Sequence, residues 1–276
     1  YKMTTRNYSD QVGSRGWTAN DGVYASEEAG RGWVPSLKVR LFANDPRIRF
    51  VNPVHELVEP TLAQAGMTME ACEIPVHHYG RLDPDQVRAK GEEYYRLGMK
   101  KIQEAAGDRE ALKELAIQAS ELGKFNEALT IWEKVLERDG QDAVAYMNVG
   151  YAHLMLNHYA EAAVFSKKAL ELDPGLREAT LNYSGCELIA GNVKSAIALL
   201  ESMLQKEPDY PPAMARIAAA YFIERRKEEG RSYLERLHRK GFDCSSVLAE
   251  QSKAFFSQNR IDQALAQMTQ QIRAIV

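Results

Sequence analysis

The spacing of hydrophobic residues changes near residue 81, which divides the chain into two parts of different character. Before it, short runs rich in Val, Ile, Phe and Tyr are broken by Pro, Gly and Asn, as β-strands are. Lys38 and Arg40 alternate with apolar neighbours, which indicates a strand with one face in water. Residues 1–35 have no clear period and are predicted to be loop-rich. The predicted strands are SLKVRLF (36–42), IRFV (48–51), VHELV (54–58) and ACEIPVHHY (71–79).

A long helix is predicted from residue 84 to about residue 106, because its first residues carry a strong start signal. Asp83 is placed to cap the helix, Pro84 to occupy its first position, and Gln86 to complete a capping box. Asp83, Pro84 and Asp85 also spell a DxD motif, by which some transferases hold a metal ion and a diphosphate. The helix cap accounts for both aspartates, so it is the favoured interpretation.

From residue 109 onward the sequence repeats itself every 34 residues. A small residue recurs at Ala128, Ala162 and Ala196, Gly230 replaces it in the fourth copy, and Ala264 restores it in the fifth. This period resembles the tetratricopeptide repeat, a pair of antiparallel helices that buries its apolar faces by stacking. We therefore predict a mainly α protein, a right-handed superhelix of about five helix-turn-helix repeats behind a small α+β segment. The predicted divisions are 1–80, a connecting helix at 81–108, and repeats at 109–142, 143–176, 177–210, 211–244 and 245–276.

The resemblance implies a groove lined by the first helices, in which a protein or peptide partner binds. The middle of this groove is apolar, which suits a hydrophobic or extended segment better than an acidic tail. Ile117 and Tyr151 stand where repeats that clamp a carboxylate have asparagines. Asn148 and Asn182 either hold a peptide backbone or form caps and inter-helix hydrogen bonds. The predicted groove residues are Val144, Met147, Asn148, Tyr151, Leu181, Asn182, Leu188 and Phe222.

Composition narrows the range of functions. The chain of 276 residues has 45% hydrophobic and 26% charged residues, the balance of a globular protein. A formal net charge of −3 gives no electrostatic case for nucleic acid. Cys72, Cys186 and Cys244 are far apart and outside any CxxC motif, which favours a reducing, cytoplasmic setting without a disulfide framework. No apolar run is long enough for a transmembrane helix. Because the chain begins at Tyr1, we expect a fragment.

An ordered series of motifs in the first part resembles the C-terminal end of the catalytic domain of family 2 glycosyltransferases, which have the GT-A fold. The series is W-P-x(2)-K-x-RLF, then I-R-F, VHE and HYG, within residues 33–80. Tyr8 matches an upstream N-Y that this branch often carries. Members of the branch include bacterial enzymes, and several carry tetratricopeptide repeats behind the catalytic domain. The half that binds the nucleotide sugar and carries the DxD motif would lie upstream of Tyr1.

The resemblance also implies roles for individual residues. Glu56 is a candidate to orient or deprotonate an acceptor hydroxyl, and His55 is a candidate to touch metal or diphosphate. The implied cofactors are a nucleotide sugar and Mn²⁺ or Mg²⁺, bound by the full-length protein rather than by this chain alone. Candidates to offset diphosphate charge, or else to form a solvated strand face, are Lys38, Arg40 and Arg49.

Strand geometry limits these assignments. Neighbouring residues on a strand point to opposite faces, so His55 and Glu56 both face one site only if a bulge or bend intervenes. For His77 and His78, a packing role at a strand end is favoured over metal ligation. Two hypotheses follow. The chain is the C-terminal part of a glycosyltransferase whose repeats recruit a partner or acceptor, inactive by itself. Alternatively, it is a non-catalytic interaction scaffold.

Overall fold

The computed structural model describes residues 1–10, 16–51, 57–104, 108–240, 242, 244, 266–271 and 273–274. The chain forms two compact units, residues 1–106 and 107–276. The first unit contains a small mixed sheet and the second a series of paired helices.

The sheet of the first unit has four strands in the order β2-β3-β1-β4. The central strand β1 pairs antiparallel with β3 and parallel with β4. A short helix, α1, lies between β3 and β4 in sequence and packs Val58 and Leu62 against Val39 and Ile48. The bounds are β1 Lys2–Tyr8, β2 Thr18–Ala19, β3 Gly32–Val39, α1 Glu59–Gln64 and β4 Ala71–His78.

Of the four predicted strands, two are present and one is not, and most of the fourth lies outside the described residues. Strands β3 and β4 overlap the predicted runs 36–42 and 71–79. The run 48–51 is not a strand: the main-chain N–H of Arg49 donates to Thr61 Oγ1 (3.1 Å), and Val51 forms only an isolated bridge with Leu57. Within the run 54–58, residues 54–56 lie outside the described residues.

The central strand was missed, because residues 1–35 were predicted to be loop-rich. Its sequence, KMTTRNY, has polar residues on both faces and so lacks the alternation that marks a strand. Its hydrogen bonds are supplied by strands on either side, and Tyr8 at its end is fully buried. Long-range pairing rather than local pattern therefore makes this segment a strand.

The predicted helix at 84–106 is present as α2, Pro84–Glu104, in the first unit. The Asp83 side chain accepts hydrogen bonds from the main-chain N–H groups of Asp85 (3.0 Å) and Gln86 (3.2 Å). Asp83 is thus engaged as a helix cap, as predicted, rather than as part of a metal-binding motif.

The described helices of the second unit follow the 34-residue period, two to each repeat. The small residues predicted at the second helix, Ala128, Ala162, Ala196 and Gly230, are all buried. First helices of successive repeats also contact one another, α5 with α7 and α7 with α9. The bounds are α3 Arg109–Glu121, α4 Phe125–Arg138, α5 Ala143–Met155, α6 Tyr159–Leu172, α7 Arg177–Ile189, α8 Val193–Lys206, α9 Pro211–Ile223 and α10 Lys227–Arg239.

The fifth predicted repeat falls mostly outside the described residues, Ala264 included. Residues 266–271 and 273–274 within it are helical, and Met268 is buried.

Candidate functional site

One face of the sheet in the first unit carries a concentration of positive charge. Strand register places Thr5 opposite Ser36, and Asn7 beside His78, on this face, and Lys38 follows two residues after Ser36. Asn7 Nδ2 donates to Ser36 Oγ (3.1 Å), and Arg40 Nη2 donates to Thr5 Oγ1 (3.2 Å). We call the side of the sheet that carries these residues the basic face, namely Thr5, Asn7, Ser36, Lys38, Arg40 and His78.

The His78 imidazole reports the electrostatics of the basic face. Its Nδ1 is buried and makes no hydrogen bond within the described part of the chain. Burial lowers the pKa of His78, and nearby cations lower it further. These cations, in order of their effect, are Lys90, Arg40, Arg81 and Lys38. Burial first, and the surrounding positive charge second, therefore favour the neutral form of the imidazole.

Two of the predicted phosphate-binding residues, Lys38 and Arg40, thus come together. Neither they nor Arg81 pair with a carboxylate among the residues that the structure describes. Arg49 lies elsewhere, with its main-chain N–H and carbonyl group both hydrogen-bonded to Thr61 Oγ1 of α1 (3.1 and 2.9 Å) and its side chain exposed. An uncompensated cluster of this kind attracts anions.

His55 and Glu56, the predicted catalytic residues, lie outside the described residues. The residues that flank them, Val51 and Leu57, exchange two main-chain hydrogen bonds of 2.9 and 3.1 Å. Among the described residues, no three His, Cys, Asp or Glu side chains are grouped so as to hold a metal ion. The basic face itself does not fit a cation, because its own charges are positive.

The opposite face of the sheet is occupied by a packed aromatic cluster that sequence reasoning missed. The Arg6 guanidinium lies 4.4 Å from the Trp33 ring centroid and 4.8 Å from that of Tyr24, and it pairs with Asp21 (3.1 Å). His77 Nδ1 is 2.7 Å from the Tyr8 hydroxyl. His77 and His78 therefore face opposite sides of the sheet, and His77 has the packing role that was favoured. Because the cluster is assembled from the missed strand β1, no local sequence pattern indicates it.

In the second unit, an apolar surface is exposed on the first helices of the first two repeats. Ile117 on α3 is 45% exposed, and Val144 and Tyr151 on α5 are 42% and 38% exposed. Met147 and Asn148 are half-buried on the same side of α5. We call these five residues the first-helix surface. The Tyr151 ring packs edge-on against Phe125, with centroids 6.1 Å apart, which fixes its position.

The remaining predicted groove residues are buried, which corrects their assignment to an open groove. Leu181, Asn182 and Leu188 are each 8% exposed, and Phe222 is 3% exposed. Leu188 and Phe222 lie one and two periods after Leu154, which is buried against Ala162 of its own second helix. Side chains at this position face inward within a repeat rather than toward a ligand.

The two predicted asparagines, Asn148 and Asn182, likewise have different environments. Asn182 Nδ2 donates to the carbonyl of Met147 on the preceding first helix (3.2 Å), which is the inter-helix alternative. Arg216, one period later, is buried and donates to the Leu181 carbonyl in the same manner. Asn148 Nδ2 donates to the Val144 carbonyl within its own helix (2.8 Å). These side chains join consecutive repeats or their own helix, so no ladder of free amides is formed by Asn148 and Asn182.

Sequence comparison agrees with the paired helices. A family model described as tetratricopeptide repeat matches residues 187–254, and a second one of the same description matches residues 113–177. The second unit contains tetratricopeptide repeats. No curated protein is similar to the chain in sequence. None of the described helices is long and apolar enough to cross a membrane.

Solved tetratricopeptide structures share this fold. MamA is 21% identical, with a TM-score of 0.50 over 58% of this chain and 93% of that chain. A thermophilic protein of Thermus thermophilus is 20% identical, with a TM-score of 0.50 over 64% and 92%. A tetratricopeptide repeat protein from Parabacteroides merdae is 16% identical, with a TM-score of 0.52 over 69% and 78%. At these identities the likeness establishes the fold alone. Tetratricopeptide repeats are protein-interaction scaffolds, and this general role applies to the second unit.

Proposed function

We propose that this chain is the C-terminal portion of a nucleotide-sugar-dependent glycosyltransferase whose tetratricopeptide repeats bind a protein or peptide, either the acceptor or a partner. The observation that carries the proposal is the basic face, where Lys38 and Arg40 gather beside His78 and pair with no carboxylate of the described residues. Guanidinium and ammonium groups form charge-assisted hydrogen bonds with phosphate oxygens, so such a surface suits a diphosphate.

In this proposal the basic face receives the diphosphate of the donor. Glu56 is the base that takes the acceptor proton, and His55 touches metal or diphosphate. Mn²⁺ or Mg²⁺ bound by the full-length protein would offset the diphosphate charge, held by ligands other than the positively charged residues of the basic face. The free cysteines Cys72, Cys186 and Cys244 are consistent with the proposed cytoplasmic location.

The test measures binding of UDP- or GDP-sugars with Mn²⁺ to the full-length protein by calorimetry. Arg40→Gln and Lys38→Gln are each expected to weaken binding about tenfold or more, since a hydrogen bond to a charged group contributes ~1.5–3 kcal/mol. Arg47→Gln is the matched control, because Arg47 is exposed and already paired with Asp45 (2.6 Å). It should bind as the parent does.

A non-catalytic scaffold is the alternative, and the tetratricopeptide repeats by themselves are consistent with it. If no nucleotide sugar binds the full-length protein, the scaffold is the better account. If Arg47→Gln weakens binding as much as Arg40→Gln, the basic face is not the diphosphate site.

A further inference from the structure

The two helices of each of the first four repeats are joined by a turn of one backbone design. The first helix ends with a left-handed residue at Gly123, Asn157, Gly191 or Arg225, with φ between 61° and 83°. The next N–H donates to a carbonyl five residues earlier, over 2.8–2.9 Å, which completes a Schellman motif. This motif holds two side chains next to each other. In order along the chain the pairs are Ala119 with Lys124, His153 with His158, Glu187 with Asn192, and Tyr221 with Arg226.

The side chains of such a pair do meet. In the fourth repeat, the Arg226 guanidinium lies over the Tyr221 ring at 4.5 Å from its centroid. In the second repeat, the members of the pair are two imidazoles, and the Nδ1 atoms of His153 and His158 are 3.4 Å apart. Their proximity is thus a consequence of backbone geometry that all four repeats share.

The spacing of these nitrogens matches that of two ligands on one metal ion. Imidazole nitrogens bound to Zn²⁺ at ~2.0–2.1 Å in tetrahedral geometry lie about 3.3–3.4 Å apart. For an N–H···N hydrogen bond, in contrast, 3.4 Å is long.

Both rings are also positioned by their neighbours. His153 stacks on Phe165, with centroids 5.3 Å apart and planes inclined by 18°, which fixes the orientation of its ring. His158 is the N-cap residue of α6, yet its side chain makes no capping hydrogen bond. Burial and the neighbouring His158 lower the pKa of His153, while two carboxylates, Glu161 on α6 and Glu133 on α4, act in the opposite direction by attracting positive charge. An ion bound here would meet the same attraction.

We propose that His153 and His158 form a binding site for a divalent transition-metal ion such as Zn²⁺, Ni²⁺ or Cu²⁺, at the helix turn of the second repeat. Imidazole suits these ions rather than Mg²⁺ or Ca²⁺. Within the described residues no third His, Cys, Asp or Glu joins a metal-binding group, so water completes the coordination shell. The site is independent of the proposed glycosyltransferase function and lies in the tetratricopeptide unit.

The experiment titrates the full chain with Zn²⁺ and Ni²⁺ by calorimetry and records the spectrum of the Cu²⁺ form by electron paramagnetic resonance. We expect one ion per chain at this site, with two nitrogen ligands on Cu²⁺. His153→Ala and His158→Lys should each weaken binding by more than the ~10-fold that loss of an outer-shell contact costs. The first repeat carries alanine and lysine at these two places in the same turn, so both variants are expected to fold.

His238→Ala is the control, because His238 is an exposed histidine on another helix, α10, and its loss should leave binding unchanged. Circular dichroism checks that each variant is folded, and His153→Gln replaces His153→Ala if the latter is not. Binding that survives both His153 and His158 substitutions would place the ion on another histidine and overturn the proposal. A parent protein that takes up no stoichiometric ion overturns it equally.

Discussion

Gly230 occupies the position at which the preceding repeats have alanine, and a neighbouring side chain explains the difference. Phe222 stands where the second and third repeats have Leu154 and Leu188. A methyl group on Gly230 would lie 2.8 Å from the Phe222 ring and 3.1 Å from the Ala218 carbonyl oxygen. The larger residue on the first helix therefore requires the smaller one on the second.

Gly230→Ala is expected to lower the free energy of unfolding by about 1–2 kcal/mol. Overpacking costs ~1–3 kcal/mol, and the better helix propensity of alanine offsets up to ~1 kcal/mol of it. Adding Phe222→Leu should recover most of the loss, because it restores the pair found in the second and third repeats. Urea denaturation measures the free energy of unfolding of the two single variants, Gly230→Ala and Phe222→Leu, and of the double variant. Gly140→Ala is the control, since a methyl group there meets nothing closer than 3.8 Å. Simple addition of the two effects in the double variant would show that Phe222 is not the cause.

At the scale of elements, the start of α5 is tied to α3 of the preceding repeat through one carboxylate. Asp142 caps α5 by accepting from the Ala145 main-chain N–H (3.0 Å), and it pairs with Lys113 (2.6 Å) and Arg109 (3.0 Å) of α3. Burial acts to raise the pKa of Asp142, but these hydrogen bonds and charges outweigh it, so the pKa lies below its usual value. The ionised carboxylate therefore stabilises the junction between the first two repeats.

Asp142→Asn is expected to lower the free energy of unfolding by about 1–3 kcal/mol at pH 7, since asparagine still caps but no longer pairs with the two cations. A carboxylate whose pKa is lowered by folding contributes its full stabilisation when the pH is above its unfolded-state pKa, which is near 3.9 for aspartate. This contribution disappears as the pH falls through the folded-state pKa. The difference from the parent should therefore shrink below about pH 4 in urea denaturation. Asp139→Asn is the control: the Asp139 side chain pairs with Arg109 (2.9 Å) but does not cap the start of α5. An Asp142→Asn effect that is constant with pH would contradict this account.

At the scale of the whole molecule, the repeat unit is the part that the sequence predicts well. A small residue every 34 positions, as at Ala128, Ala162 and Ala196, is a local requirement of helix pairing, so it is visible in the sequence. Strand β1 is not predictable in this way, because its pairing partners are up to 71 residues distant, as Asn7 is from His78. The basic face depends on that strand, so no local pattern indicates it. Only the resemblance to glycosyltransferases suggests Lys38 and Arg40 as phosphate-binding residues.

The sequence also does not predict how far the open groove extends along the repeats. Helical spacing identifies which residues share a side of a first helix, but not whether other parts of the chain cover that side. In α9, Ala219 is buried, although it lies two periods after Tyr151, which is exposed on α5. An apolar surface open to a partner therefore remains on the first two repeats.

This difference between repeats predicts where a peptide binds. Peptides that are selected from a random displayed library for binding to the parent protein should be apolar and extended. Tyr151→Ser should weaken their binding about tenfold, because the loss of an aromatic anchor costs ~1.4 kcal/mol. Val164→Ser is the matched control, because Val164 is 65% exposed but lies on a second helix, α6. Calorimetry with one selected peptide decides between the two surfaces. Equal losses in both variants, or a selection dominated by acidic peptides, would show that the first-helix surface is not the binding site.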